Sequence, residues 1–204
     1  MSLFRPLIAA LFALLTAAAS AQEVPPTDVW LLADAVQRSG DARTGVSSGH
    51  FAILDKTGAR LWVFSPYGRA IANSPVLLGQ GIGDDAASDL GTRAFSRYSR
   101  SDKITPAGRF LTEEGVNLSG EEIIWLDYES GLSMHRVRNI AGERRHQRVA
   151  SGVIAQRRIS YGCINVPADF FDEYLYPLFR SQSSVVYILP EVYNPEDIFP
   201  FMRR

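Results

Sequence analysis

Cysteine is nearly absent: Cys163 is the only one in 204 residues. A disulfide within the chain is thereby excluded, and with it the small disulfide-stapled scaffolds. Charge of one sign is also lacking. Lys and Arg total 21 against 22 Asp and Glu, a formal net charge of -1, which argues against a general nucleic-acid binder. Histidine is scarce, with His50, His135 and His146 dispersed along the chain, so no ligand spacing for zinc exists and no metal is expected. The Asp84-Asp85 pair is too isolated for a calcium loop. Gly79-Gln80-Gly81-Ile82-Gly83 lacks the Lys of a phosphate loop, and no cofactor is expected. With 16 Gly, 11 Pro and no internal repeat, the chain is neither collagen-like nor of low complexity. What is present is 46% hydrophobic and 11% aromatic residues, too much for a disordered chain and enough for one good core.

The N-terminus has the three-part grammar of a secretory signal peptide. Arg5 is followed by an apolar run from Leu7 to Ala19, then by the small-x-small pattern Ala19-Ser20-Ala21 and polar Gln22 and Glu23. The run is shorter than the ~20 residues that span a bilayer. Residues 1–21 are therefore expected to be removed, leaving an exported chain with no stable membrane insertion. Export changes the reading of Cys163, because an unpaired thiol in an oxidising compartment needs a reason. It is either an inert buried hydrophobe or a thiol kept for its reactivity.

Hydrophobic patterning predicts an amphipathic helix over Asp28–Arg38 and a polar linker to Gly49, so that 22–49 forms a helix and linker. Phe51–Leu54 and Arg60–Phe64 flank Asp55-Lys56-Thr57-Gly58 and read as a β-hairpin. Further strands are predicted at Ala70–Leu78, Ile123–Tyr128, Leu132–Val137 and Val185–Leu189, and a helix over Pro167–Phe179. Gly79–Thr105 reads as a long surface loop. The expectation is a mostly β, α+β chain with one main domain over 50–190 and a C-terminal tail over 191–204.

Chemistry centres on Arg158-Ile159-Ser160-Tyr161-Gly162-Cys163-Ile164-Asn165. A Gly before the Cys permits a sharp turn, neighbouring N–H groups can hold an oxyanion, and the helix beginning near Pro167 favours a thiolate. A nucleophilic thiol also needs a base. His135 lies within a predicted strand, whereas His146, its rival, lies in a loop among Arg144, Arg145 and Arg148. Ser160 either orients the site or caps a turn. Asn165 and Arg158 either fix the loop or touch substrate. Tyr161 suits a pocket wall better than a proton carrier. Arg136–Arg158 holds seven Arg against Glu143, and reads as a solvated loop or as a rim that attracts carboxylates.

Ser160-Tyr161-Gly162-Cys163-Ile164-Asn165 resembles the signature of the L,D-transpeptidase (YkuD-type) catalytic domain, which has a Ser or Thr, His-Gly-Cys, an apolar residue and Asn or Arg. Thr105-Pro106-Ala107-Gly108-Arg109-Phe110 resembles that family's Thr-Pro-x-Gly-x-Phe element, and Leu132-Ser133-Met134-His135 its strand with the upstream His. The resemblance runs from about Phe51 to Pro190. Two departures stand out: Tyr161 replaces the usual His, and His135 lies 28 positions before Cys163, farther than is usual, with an enlarged loop between. A phenol does not titrate near neutral pH, which puts the base role on His135. The resemblance implies a curved β-sheet or sandwich domain, a periplasmic or wall location, and acyl transfer on peptidoglycan stem peptides through a thioester on Cys163. It further implies an oxyanion held by the Gly162 and Cys163 amides, with a neighbouring stem, a lipoprotein lysine or a free D-amino acid as acceptor. Two other readings stay open: a thiol hydrolase of the L,D-carboxypeptidase or amidase type, and a wall-binding module weakened in catalysis.

Overall fold

The computed structural model describes residues 23–43, 49–87, 93–180 and 184–203. The expected signal peptide over 1–21 lies outside them. In chain order the strands are β1 (Phe51–Asp55), β2 (Arg60–Phe64), β3 (Ala70–Pro75), β4 (Leu78–Gly79), β5 (Gly108–Leu111), β6 (Glu113–Val116), β7 (Glu122–Asp127), β8 (Leu132–Arg136), β9 (Arg158–Ser160), β10 (Ile164–Val166) and β11 (Val185–Ile188). The helices are α1 (Thr27–Ser39), α2 (Arg145–Ala150), α3 (Ala168–Phe170), α4 (Tyr176–Phe179) and α5 (Pro195–Ile198), and a π-helical stretch, Phe171–Leu175, joins α3 to α4.

The first sheet has the order β3-β2-β1-β11-β5 and the second β10-β8-β7-β6; β4 and β9 form a parallel pair between them in the chain's path. The central strands of the first sheet are continuous apolar runs because both of their faces are covered. Alternation sorts their side chains. Ala52 and Leu54 of β1, Leu61 and Val63 of β2, and Val186 and Ile188 of β11 enter one core with Ile124, Met134, Ile164, Phe171 and Phe179. Phe51, Ile53, Trp62, Phe64, Val185 and Tyr187 point the other way, onto Val29, Leu32 and Val36 of α1 and onto Phe199 near the C-terminus. The result is a mixed α+β molecule in three layers: α1 with the C-terminal turns, the five-stranded sheet, and the second sheet with the α3–α4 helix.

Several expectations are refined. The strand expected over 70–78 divides at Pro75, and Leu78–Gly79 pairs instead with β9. The stretch expected as a surface loop over 79–105 is pinned inward at Asp84 and Thr105, while residues such as Ile82 stay exposed. Lys56, buried at the end of β1, donates through Nζ to Asp84 Oδ1 at 2.6 Å, to the Gly83 carbonyl at 2.6 Å and to the Thr105 carbonyl at 3.0 Å. Asp84 in turn accepts the N–H groups of Glu191, Val192 and Tyr193 at 2.7–2.8 Å. Burial raises the Asp84 carboxyl, but the Lys56 ammonium and these backbone donors more than reverse it, leaving Asp84 below the ordinary carboxylate range. The C-terminal stretch is thus tied into the body of the molecule, with Phe199 buried.

The arginine-rich segment is also not a uniform solvated loop. It contains α2, and Arg145 and Arg157 are 5% and 7% exposed. Arg145 bonds Glu143 at 2.6 Å and Asn165 Oδ1 at 2.8 Å, so it is a buried brace and unavailable to a rim. No helix among the described residues is long and apolar enough to cross a membrane.

Candidate active site

Parallel pairing of β8 with β10 builds the site. The register sets Met134 against Ile164, His135 against Asn165 and Arg136 against Val166. One step back along both strands, Cys163 comes level with Ser133. Ser133 and His135 share a strand face because side chains repeat every two residues, whereas Met134 between them enters the core. The fold therefore brings together two expected residues, Cys163 and His135, that are far apart in sequence, and adds Ser133.

Around the sulfur, Ser133 Oγ donates to Cys163 Sγ at 3.5 Å, and the thiol donates to the Gly131 carbonyl at 3.4 Å. The His135 imidazole is a further hydrogen-bond partner. Its Nδ1 lies 2.8 Å from the Arg136 carbonyl. A carbonyl only accepts, so Nδ1 carries the proton and Nε2 is the nitrogen left to receive one. Burial pushes the Cys163 thiol up, but the hydrogen bond and charge of His135, with the Ser133 donor, outweigh it and hold the thiol below its ordinary value.

The turn that presents the sulfur is locked by short polar contacts. Ser160 Oγ accepts the Gly162 N–H at 3.1 Å and donates to the Cys163 carbonyl at 2.7 Å. Between its two readings, Ser160 is the turn cap. Gly162 has φ 137°, and a Cβ there would sit 2.7 Å from the Ile104 carbonyl oxygen, so both conformation and space require glycine. Its N–H, expected among the oxyanion donors, donates to Ser160 Oγ. Thr105 completes the lock by donating to the Gly162 carbonyl at 2.7 Å and accepting the Gly79 N–H at 3.0 Å.

A cleft of about 570 Å³ opens over Cys163, walled by Ile104, Pro106, Leu132, Tyr98 and Tyr161. Tyr161 is 39% exposed on this wall, 6.2 Å from the Tyr98 ring, and Lys103 Nζ sits 4.0 Å over its own ring. It is a wall residue, as its chemistry suggests.

For Asn165 and Arg158, each left open between fixing the loop and touching substrate, the structure shows bracing contacts. Asn165 is fully buried; it donates to the Cys163 carbonyl at 3.1 Å and accepts from Arg145, so it braces the turn from behind. Arg158 is paired with Glu191, donates to the carbonyls of Gly81 at 3.0 Å and Lys56 at 3.1 Å, and does not line the cleft. His146 is exposed on α2 and does not join the site. Ser133 and Thr105 were missed as site residues. Ser133 sits two residues before His135 and was legible by alternation; Thr105 was visible only as a motif letter. Among the described residues, no group of three or more His, Cys, Asp or Glu is arranged to hold a metal ion.

No protein-family model matches the chain, and no curated protein matches it in sequence. Among solved structures it is similar to Bd1075 of Bdellovibrio bacteriovorus, at 15% identity and a TM-score of 0.45, covering 78% of this chain and 55% of that one. It is also similar to the helical cell shape determining protein Pgp2 of Campylobacter jejuni, at 14% identity and a TM-score of 0.43, covering 82% and 56%. A third is an L,D-transpeptidase from Mycobacterium smegmatis, at 14% identity and a TM-score of 0.38, covering 69% and 58%. The chain thus spans little more than half the length of these three.

Proposed function

We propose that the chain is an exported cysteine acyltransferase that acts on peptidoglycan stem peptides, the chemistry of an L,D-transpeptidase. The observation that carries this reading is the convergence of the imidazole of His135 and the hydroxyl of Ser133 on the sulfur of Cys163 at an open cleft. His135 Nε2 takes the thiol proton. The thiolate attacks the carbonyl carbon of an L,D-configured peptide bond, and the Cys163 amide holds the oxyanion. The carbon–nitrogen bond breaks, the imidazolium returns its proton to the departing amine of the D-amino acid, and a thioester remains on Cys163. An acceptor amine then attacks the thioester, loses a proton to His135, and restores the thiol. A neighbouring stem, a lipoprotein lysine or a free D-amino acid supplies that amine.

Incubation with defined disaccharide-tetrapeptides and identification of the products tests the reading. Cross-linked or exchanged stems are expected, and Cys163→Ser and His135→Ala are each expected to stop their formation. Products that form equally well with Cys163→Ser would contradict it; stems that are only trimmed would place water as the acceptor.

A further inference from the structure

Next to the cysteine cleft, on the far side of the β7–β8 turn, lies a second and shallower groove of about 900 Å³ that the reaction above does not use. It runs along the seam where β5 meets β7. Its floor is aromatic and apolar: Tyr128 is 73% exposed, Leu111 48% exposed, and the ring centroids of Trp125 and Tyr128 lie 5.2 Å apart, edge to face. The Trp125 indole packs against Gly115 of the neighbouring strand, where a Cβ would come within 2.3 Å of Nε1, so this placement of the ring requires a glycine there. Acceptor side chains rim the groove: Glu113, Asp127 and Glu129. The single cation there, Arg109, is already bonded to Asp41 at 2.5 Å. The exposed Tyr128 ring, set against the half-buried Trp125 and beside carboxylates, suits a ligand with apolar faces and many hydroxyl or amide donors and no negative charge of its own. That is the chemistry of a neutral saccharide, whereas an anionic polymer would meet like charge.

The two depressions share one turn. Ser130 and Gly131 line the cysteine cleft, and Asp127, Tyr128 and Glu129 line the groove. Gly131 is the residue whose carbonyl accepts from the sulfur at 3.4 Å. From Tyr128 to Gly131 the chain spans at most about 10 Å, which is also the extended reach of a stem of about three residues. A sugar on Tyr128 would therefore let its attached peptide reach the thiol.

The geometry points to a glycan subsite in this groove, formed by the Tyr128 and Trp125 rings and the surrounding carboxylates, that holds the N-acetylated sugar chain bearing the stem processed at Cys163. This deepens the proposed acyl transfer and rests on it for the identity of the glycan.

The test pairs two readouts on the full chain and on Tyr128→Ala, an exposed position outside the catalytic groups. The first is titration with peptide-free N-acetylglucosamine oligomers, followed by intrinsic tryptophan fluorescence. Saturable binding that weakens roughly tenfold in the variant is expected. The second is turnover of the same stem peptide with and without its disaccharide. The variant should raise KM for the disaccharide-linked stem roughly tenfold and leave the free stem unchanged. No saturable oligomer binding, or an equal loss on both substrates, overturns the subsite. Tyr128-dependent binding of the free stem also overturns it, by making the groove a peptide site. Oligomer binding that depends on Tyr128, with neither substrate turned over, would support the subsite and count against the acyl-transfer reading alone.

Discussion

Three polar groups share one sulfur: the His135 imidazole, the Ser133 hydroxyl and the Gly131 carbonyl. The first two favour the thiolate and prevail over burial, so Cys163 is held below the ordinary thiol range. The sign fixes a pH dependence. Alkylation of Cys163 by iodoacetamide should rise with pH and reach half its plateau below the value of a free thiol, and His135→Ala should move that midpoint upward, because burial then acts with less opposition. Mass spectrometry of the modified chain across pH reads both. A second residue-scale prediction concerns Asp84, whose side chain and that of Lys56 are fully shielded from solvent. Asp84→Ala leaves a buried ammonium with one partner fewer and three backbone N–H groups without their acceptor, at a cost of about 3–5 kcal/mol in urea unfolding. At this scale the sequence was informative about Cys163 and His135, because a lone thiol after glycine and a strand histidine carry chemical meaning by type. It was uninformative about Arg158 and Asn165, which look the same whether they face substrate or brace a turn. Only the partners, Glu191 for the one and Arg145 for the other, decide that.

Among the elements, the parallel pair β8–β10 and the turn before β10 make the site. The hairpin β1–β2 was legible because Asp55 and Gly58 mark its turn and the flanking runs are apolar. The β8–β10 pairing was not, since β10 has three residues and its partner lies across a connection containing α2 and β9. Short strands carry little periodicity, and their register is set by tertiary packing. β6 escaped notice for a related reason: Glu113-Glu114-Gly115-Val116 has poor strand propensity and is held by its pairing with β7. The turn yields a prediction of its own. Ser160→Ala removes one acceptor and one donor inside the 160–163 turn and should cost about 1–3 kcal/mol while slowing acylation. Gly162→Ala should abolish acylation outright, because the backbone at φ 137° and the nearby Ile104 carbonyl leave no room for a methyl group. Thermal unfolding and the rate of adduct formation, measured on the same preparations, separate the two effects.

For the molecule as a whole, two cores lie on opposite faces of one sheet, and the second depends on both ends of the described chain. Phe199 is buried against Tyr187, with ring centroids 5.9 Å apart, although the stretch after Pro190 gave no element in the sequence reading. Phe199→Ala is accordingly expected to cost about 3–5 kcal/mol in urea unfolding, far more than a loose tail would. At the same scale, the surface-loop reading of 79–105 holds for exposed residues such as Ile82 but missed two buried anchors. Polarity there was read as exposure, whereas Asp84 and Thr105 are buried because Lys56, Glu191 and Gly162 satisfy them from distant parts of the chain. The β8–β10 pair and the 160–163 turn thus hold Cys163 at the cleft with His135 as its partner. Intact-mass spectrometry after exposure to a carbapenem, which acylates an activated thiolate, addresses that claim most directly. The account predicts one covalent adduct, mapped to Cys163 and absent from Cys163→Ser and His135→Ala. An unmodified wild-type chain under conditions where it remains folded, or an adduct that persists in Cys163→Ser, would contradict it.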